Sequence, residues 1–214
     1  MSHPSDEMAQ MSTRELLTAT CGQAAIFTAA GAVIWYLSGR DILTFVTISP
    51  HEVFYGIAIA AGMIATGFLL FKLFPRFSEQ LIRDQAHSLA FLKNKLGTGS
   101  IIIISLCAGI WEEAFFRGGL LTIAKDYLPL WIAITGTSIL FAAIHLAKMK
   151  VAFLIGVMGC VFALLYLTLE SLLAVMIGHA LYDIWALWYV QNEMHRLGVF
   201  DDVKTTVDAA SELG

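Results

Sequence analysis

The sequence predicts an all-α protein: a polytopic membrane helix bundle of about six spans, with an amphipathic surface helix before the third span. Of the 214 residues, 58% are hydrophobic and only 14% are charged, whereas soluble domains carry about 25% charged residues. The mean hydropathy is +0.74. Several apolar stretches also reach about 20 residues, the length that a helix needs to cross a bilayer.

Six stretches have this length, and they follow one another along the chain. They cover residues 18–37, 53–74, 100–123, 128–147, 150–169 and 171–190. Pro129 suits the start of the fourth span, because the first turn of a helix tolerates a residue without an N–H. The last two spans are interrupted only by Glu170 and Ser171. One helix over both would be about 60 Å long, twice the thickness of the bilayer core, so we expect a turn there.

Residues 77–97 are predicted to form the amphipathic helix, and an ordinary polar loop is the alternative. The apolar side chains of this segment fall near one helical face, the charged ones lie on the others, and Gly97 is expected to end the helix. The apolar set is Phe77, Leu81, Leu89, Leu92 and Leu96.

We expect a single membrane domain over residues 18–190, between a cytoplasmic N-terminal tail (residues 1–17) and a polar C-terminal tail (residues 191–214). With the N-terminus inside, the cytoplasmic segments hold ten Lys and Arg residues, and the outer loops hold only Arg40 and Lys125. Because basic residues favour the cytoplasmic side, both termini are predicted to be cytoplasmic.

The net charge and the cysteines limit the classes of function that are possible. The net charge of −4 and the isoelectric point near 5.8 give no indication of nucleic-acid binding. Cys21, Cys107 and Cys160 lie far apart in apolar segments and lack the spacing of metal ligands. We expect them to be isolated packing residues.

Six ionisable residues stand out within the predicted spans, where each charge costs roughly 2.5–3.5 kcal/mol on insertion scales. They are Glu112, Glu113, Arg117, His145, His179 and Asp183. Glu113 and Arg117 are i,i+4 neighbours and are expected to form a structural ion pair. Glu112 lies about 100° around the helix and lacks that partner, while His179 and Asp183 share a face. Such groups are expected to converge in the interior of the bundle.

Two hydrolytic chemistries fit these residue types. In the first, Glu112 is the general base for a water molecule, assisted by His145, and His179 donates to the developing oxyanion. In the second, His145 and His179 bind Zn²⁺ together with Glu112 or Asp183, and the metal activates the water. Neither histidine has the HExxH spacing of a typical zinc protease. The residue types alone leave both chemistries open.

Three motifs lie in order on successive apolar segments: Glu112-Glu113-x-x-x-Arg117, Phe141-x-x-x-His145 and His179-x-x-x-Asp183. They resemble the motifs of the CPBP (CAAX protease and bacteriocin-processing, or Abi) family of glutamic-type intramembrane endopeptidases. The stretch 109–118 is especially similar to the first motif region of the family. The resemblance covers about residues 77–190, and residues 1–76 match only as generic spans.

The resemblance implies an endopeptidase that cleaves a membrane-associated protein or peptide, such as a C-terminal tail, a leader or a sorting anchor. It implies water activation by Glu112 and His145, oxyanion stabilisation by His179 and Asp183, and support from Glu113 and Arg117. It favours a mechanism without a cofactor, with Zn²⁺ as the alternative, in the plasma (inner) membrane of a prokaryote. The family often has Asn at position 183. An ionised Asp183 cannot donate, so it must be protonated or must orient His179.

A non-catalytic immunity or scaffold protein that binds a membrane peptide is the alternative function, because the family is associated with bacteriocin self-immunity. The intact motifs argue against it. A proton-relay transporter would need the repeat symmetry that the spans lack. The sequence indicates neither the substrate-binding residues nor the oligomeric state. Glu112 lies about 18 Å into its predicted span, whereas His145 lies near a span end, so a tilted or deeper span is expected.

Overall fold

The computed structural model describes residues 11–200, and over this range it contains helices and no strands. We number seven α-helices in chain order. They are α1 Thr13–Leu37, α2 Pro50–Leu73, α3 Pro75–Asp84, α4 Thr98–Tyr127, α5 Leu130–Ile144, α6 Met149–Leu169 and α7 Leu172–Arg196. Short 3₁₀ turns occupy Ile42–Thr44 and Ala90–Lys93. Of the two predicted tails, residues 1–10 and 201–214 lie outside the described residues.

The predicted helix bundle is confirmed, but the fourth of the six predicted spans is a shorter helix. Five helices (α1, α2, α4, α6 and α7) are long and apolar enough to cross a membrane. Helix α5 has only 15 residues and is therefore about 22 Å long, less than the roughly 30 Å of a hydrocarbon core. Helix α7 packs against α2 and α4, α1 packs on α4, and α5 and α6 pair with each other.

Local sequence signals explain where several helices begin and end. Ser12 and Glu15 form a capping box at the start of α1, in which each side chain bonds to the backbone of the other. The turn predicted between the last two spans is present. Helix α6 ends at Leu169, Glu170 adopts a left-handed conformation with φ of 50°, and the Ser171 side chain caps α7.

The amphipathic helix before α4 is present, but it ends at Asp84 rather than at Gly97. Beyond Asp84 the chain forms turns, because side chains of α7 bind its backbone in place of a continuing helix. Gln191 accepts from the Leu96 N–H at 2.8 Å and donates to the Leu96 carbonyl at 3.1 Å. His195 Nε2 lies 3.0 Å from the Leu92 carbonyl oxygen. Several apolar side chains of this region therefore pack on protein.

Helices α1 and α4 run parallel and in close contact. The Cα of Gly31 lies so near the Ala114 carbonyl that a Cβ would collide with it. Near the other end of this contact, the sulfur atoms of Cys21 and Cys107 are 3.6 Å apart. All three cysteines are free, and Cys21 and Cys107 meet although they are 86 positions apart because the two spans pack in parallel.

Candidate active site

The first motif lies where the geometry of α4 changes. Glu112 and Glu113 end its regular α-helical part, and the following residues Ala114–Leu121, including Arg117, form a π-helical segment. A π-helix has a wider turn than an α-helix, is rare, and frequently occurs at functional sites. No pattern in the sequence indicated this segment.

Glu113 joins two of the three motifs through one carboxylate oxygen. Its Oε1 accepts from Arg117 Nη1 at 2.9 Å, which is the ion pair expected from their spacing. The same oxygen lies 2.7 Å from His179 Nδ1, a contact that the sequence did not predict. Glu113 is fully buried, and Arg117 and His179 are nearly so. Glu113 therefore fixes a ring on α7 relative to α4.

Arg117 connects α4 to α5 and α6. Its Nη2 donates to the Gly159 carbonyl at 2.9 Å. Its guanidinium carbon lies 4.7 Å from the centre of the Phe141 ring and 5.6 Å from that of Phe162. Cation–π contacts of this kind each contribute about 0.5–2 kcal/mol. The Arg117 cation is thus held by one ion pair, one carbonyl and two aromatic faces.

Both histidines direct Nε2 towards Glu112. His145 Nε2 lies 3.9 Å from Glu112 Oε1, and His179 Nε2 lies 3.7 Å from Glu112 Oε2. In each ring Nδ1 has a separate partner, Glu113 for His179 and the Phe141 carbonyl at 2.7 Å for His145. Distances near 3.8 Å are too long for direct hydrogen bonds and are suited to a bridging water molecule.

The short helix α5 brings His145 to the level of Glu112. His145 is the C-cap of this helix, and the next residue, Leu146, turns the chain with a positive φ of 47°. Because α5 is shorter than a full span, its end reaches the depth of a residue in the middle of α4. The difference in depth expected between Glu112 and His145 is therefore removed by the short length of α5.

Asp183 faces the His179 ring. Its Oδ2 lies 3.5 Å from His179 Nε2, and its side chain is partly exposed. The ring also stacks on Phe162, with the ring centres 4.7 Å apart and an interplanar angle of 21°. The orientation of His179 is therefore defined by two carboxylates and an aromatic ring.

These side chains do not form a metal site as they are placed. Zinc ligands lie about 2.0–2.3 Å from the metal and are usually arranged as a tetrahedron. Within residues 11–200, no group of three or more His, Cys, Asp or Glu side chains has an arrangement that could hold a metal ion. The expected mechanism without a cofactor, with Zn²⁺ on His145 and His179 together with Glu112 or Asp183 as the alternative, stays a prediction.

A cavity of about 440 Å³ opens beside Glu112 and His145, between α1, α4 and α5. Its wall is mostly aromatic and aliphatic. Besides the two motif residues, the lining side chains are Gln23, Phe27, Trp111, Phe115, Phe116, Leu140 and Ile144. The site is thus continuous with an apolar space of the size typical for ligand pockets, about 300–1,000 Å³.

Three contributors to this region were missed by the sequence reasoning. Gly159 and Phe162 lie in an apolar run, where nothing distinguishes a residue that contacts the site from one that only packs. Gln23 did carry a signal, because it is a polar amide within the first predicted span. Polar groups at that depth usually face a cavity or a polar partner.

Comparison with known proteins identifies one match. The family model described as type II CAAX prenyl endopeptidase, Rce1-like, matches residues 94–185. This segment runs from the start of α4 into α7 and includes all six residues of the site, while α1, α2 and α3 lie outside it. No curated protein and no solved structure matches the chain.

Proposed function

We propose that this chain, whose residues 94–185 belong to the Rce1-like family of CAAX endopeptidases, activates a water molecule at Glu112 to hydrolyse a peptide bond in a membrane-associated substrate. The family supports intramembrane endopeptidase activity in general. The observation that supports this mechanism is the convergence of two histidine Nε2 atoms on separate oxygens of Glu112, at 3.9 and 3.7 Å.

In this mechanism a water molecule lies between Glu112 and His145. The Nδ1–H of His145 donates to the Phe141 carbonyl, which leaves a lone pair on Nε2. The water then donates one hydrogen to Glu112 Oε1 and the other to His145 Nε2, and its oxygen attacks the peptide carbonyl. Glu112 takes the proton as general base and returns it to the leaving amine.

His179 stabilises the oxyanion in this scheme. Glu113 pairs with Arg117 as a carboxylate and has no proton to donate. It therefore accepts the hydrogen bond from His179, and Nδ1 of that ring carries the proton. In the imidazolium form, Nε2–H is free to donate to the tetrahedral oxygen. An ionised Asp183 cannot donate. At 3.5 Å from Nε2, its role in our proposal is to orient the ring and to balance its charge.

We further propose that no metal takes part, that both termini are cytoplasmic and that the chain resides in a prokaryotic plasma membrane. In this orientation α5 ends towards the cytoplasm, where Lys148 and Lys150 follow His145. The site then accepts a C-terminal tail, a leader or a sorting anchor from the cytoplasmic half of the bilayer.

The test compares wild-type protein with Glu112→Gln in proteoliposomes, using a diverse mixture of synthetic peptides and mass spectrometry of the products. Removing a general base is expected to lower the cleavage rate by about 10²–10⁴-fold. Glu170→Gln, at an exposed helix cap, is the matched control and should retain full activity. Equal thermal transitions would show that both variants fold. Undiminished cleavage by a folded Glu112→Gln protein would refute the mechanism.

A further inference from the structure

Gln23 is a polar side chain of α1 that the catalytic scheme does not use. It lines the cavity that also contains Glu112 and His145. No hydrogen bond joins its amide to any residue in the range 11–200. The side chain is exposed beside this cavity, and an amide without a partner costs several kcal/mol when it is surrounded by apolar groups, so a polar ligand in the cavity would be favoured there.

The position of Gln23 relative to the site is well defined. Phe27, one turn further along α1, packs against Trp111 and Phe115 with ring centres 5.0 and 5.2 Å apart. Residues i and i+4 of a helix share a face, so Gln23 lies on the face of α1 that contacts α4. Because α1 is parallel to α4, Gln23 borders the cavity at the level of the α4 turn preceding Glu112.

The chemistry of the cavity indicates what occupies it. Gln23, Glu112 and His145 are its polar side chains, and the rest of the lining is aromatic or aliphatic. A glutamine amide offers a donor and an acceptor, which match the carbonyl and the N–H of a peptide group. Glu112 disfavours an acidic side chain in this space by like-charge repulsion. The apolar wall favours a large uncharged one.

We propose that Gln23 binds the backbone of the substrate next to the scissile bond and that the adjoining cavity takes a large apolar side chain of the same peptide. This inference rests on the proposed endopeptidase function. It assigns substrate recognition to α1, which lies outside the segment that matches the family. Gln23 would thus be a substrate-binding residue outside the three motifs.

Gln23→Leu tests the hydrogen bond, because leucine keeps most of the volume and removes both polar groups. Loss of the amide's hydrogen bonds is expected to raise KM for the cleaved peptides by at least about 3- to 10-fold, with kcat changed less than about 2-fold. Thr18→Val is the matched control on α1, since the Thr18 hydroxyl bonds only to the Arg14 carbonyl of its own helix. The control should leave both constants unchanged.

Leu140→Trp tests the cavity by filling it from α5. Cleavage of peptides with leucine or phenylalanine at the preferred position should fall at least about 10-fold relative to peptides with alanine there. That fall corresponds to about 1.4 kcal/mol of differential binding. Leu164→Trp, at an exposed position of α6, should not alter the selectivity. A purely structural role of Leu140 would lower all rates together and leave the selectivity unchanged.

A binding experiment separates failure of this inference from failure of the proposed function. Benzoylphenylalanine at position 144, in the Glu112→Gln background, should crosslink biotinylated peptides with a central leucine more than those with a central aspartate, because the apolar wall still disfavours a charged side chain when the Glu112 charge is removed. Gln23→Leu should weaken that crosslinking. If the protein is active but Gln23→Leu leaves KM unchanged and Leu140→Trp leaves the selectivity unchanged, this inference is overturned and the proposed endopeptidase function stands. If wild-type protein cleaves no peptide, the endopeptidase proposal fails, and absence of leucine-dependent crosslinking then overturns this inference as well.

Discussion

Replacing Arg117 by methionine is expected to destabilise the fold by about 3–5 kcal/mol, because it leaves a buried carboxylate without its counter-charge. Glu113 is fully buried. Its Oε2 has no hydrogen-bond partner among the described residues, so its polar contacts are concentrated on Oε1. The variant also leaves the buried Gly159 carbonyl without the donor that it has at 2.9 Å.

Thermal unfolding of purified protein in detergent measures this effect. For a domain of 150–250 residues, 1 kcal/mol shifts Tm by about 2–4 °C, so the expected decrease is roughly 6–20 °C. Arg196→Met is the control, because Arg196 pairs with Glu193 at 2.7 Å on the surface with 64% of its side chain exposed. Exposed pairs contribute at most about 1 kcal/mol, so this Tm should fall by less than about 4 °C.

A second substitution tests whether charge is the cause. Adding Glu113→Gln to Arg117→Met removes both charges, while the glutamine Oε1 still accepts from His179 Nδ1. At least half of the lost stability should return. If Arg117→Met costs no more than Arg196→Met, the reasoning about the buried network is refuted. If the double variant recovers nothing, the loss comes from packing against Phe141 and Phe162 rather than from charge.

Two further predictions concern the α1–α4 contact and the proposed absence of a metal. In a Cys160→Ser background, mild oxidation should join Cys21 to Cys107, seen as loss of two free thiols by mass spectrometry. Persistence of both thiols would contradict the 3.6 Å approach of their sulfurs. Strong chelators should leave peptide cleavage unchanged, and elemental analysis should find zinc well below one atom per chain. An activity that chelation abolishes and zinc restores would refute the proposed metal-free mechanism.

Features set by local chemistry could be predicted from the sequence. Runs of apolar residues predicted the membrane-crossing helices, and the i,i+4 spacing predicted the Glu113–Arg117 ion pair. The polar interruption at Glu170 and Ser171 predicted the turn before α7. Convergence of the motif residues followed from the cost of leaving ionisable groups in lipid. Each of these inferences depended only on residues that are close in the sequence or on the cost of placing polar groups in lipid.

Features set by contacts between helices could not be predicted in this way. The helical pattern of residues 77–97 continues past Asp84, yet Gln191 and His195 bind the backbone there and the chain turns instead. The length of α5 determines the depth of His145, and the end of that helix is not marked by Gly or Pro. Gln23 becomes informative only once α1 is known to border the cavity.

The arrangement of α4 explains why two adjacent glutamates have different environments. Successive side chains on a helix diverge by about 100°, so Glu112 faces the cavity between α1 and α5 while Glu113 faces the interior of the bundle. The His179 ring on α7 lies next to both glutamates: its Nδ1 contacts Glu113 and its Nε2 is directed towards Glu112. Arg117 fixes Glu113, which in turn fixes the ring that is aimed at Glu112. A buried ion pair thus positions the imidazole that faces Glu112, the proposed general base.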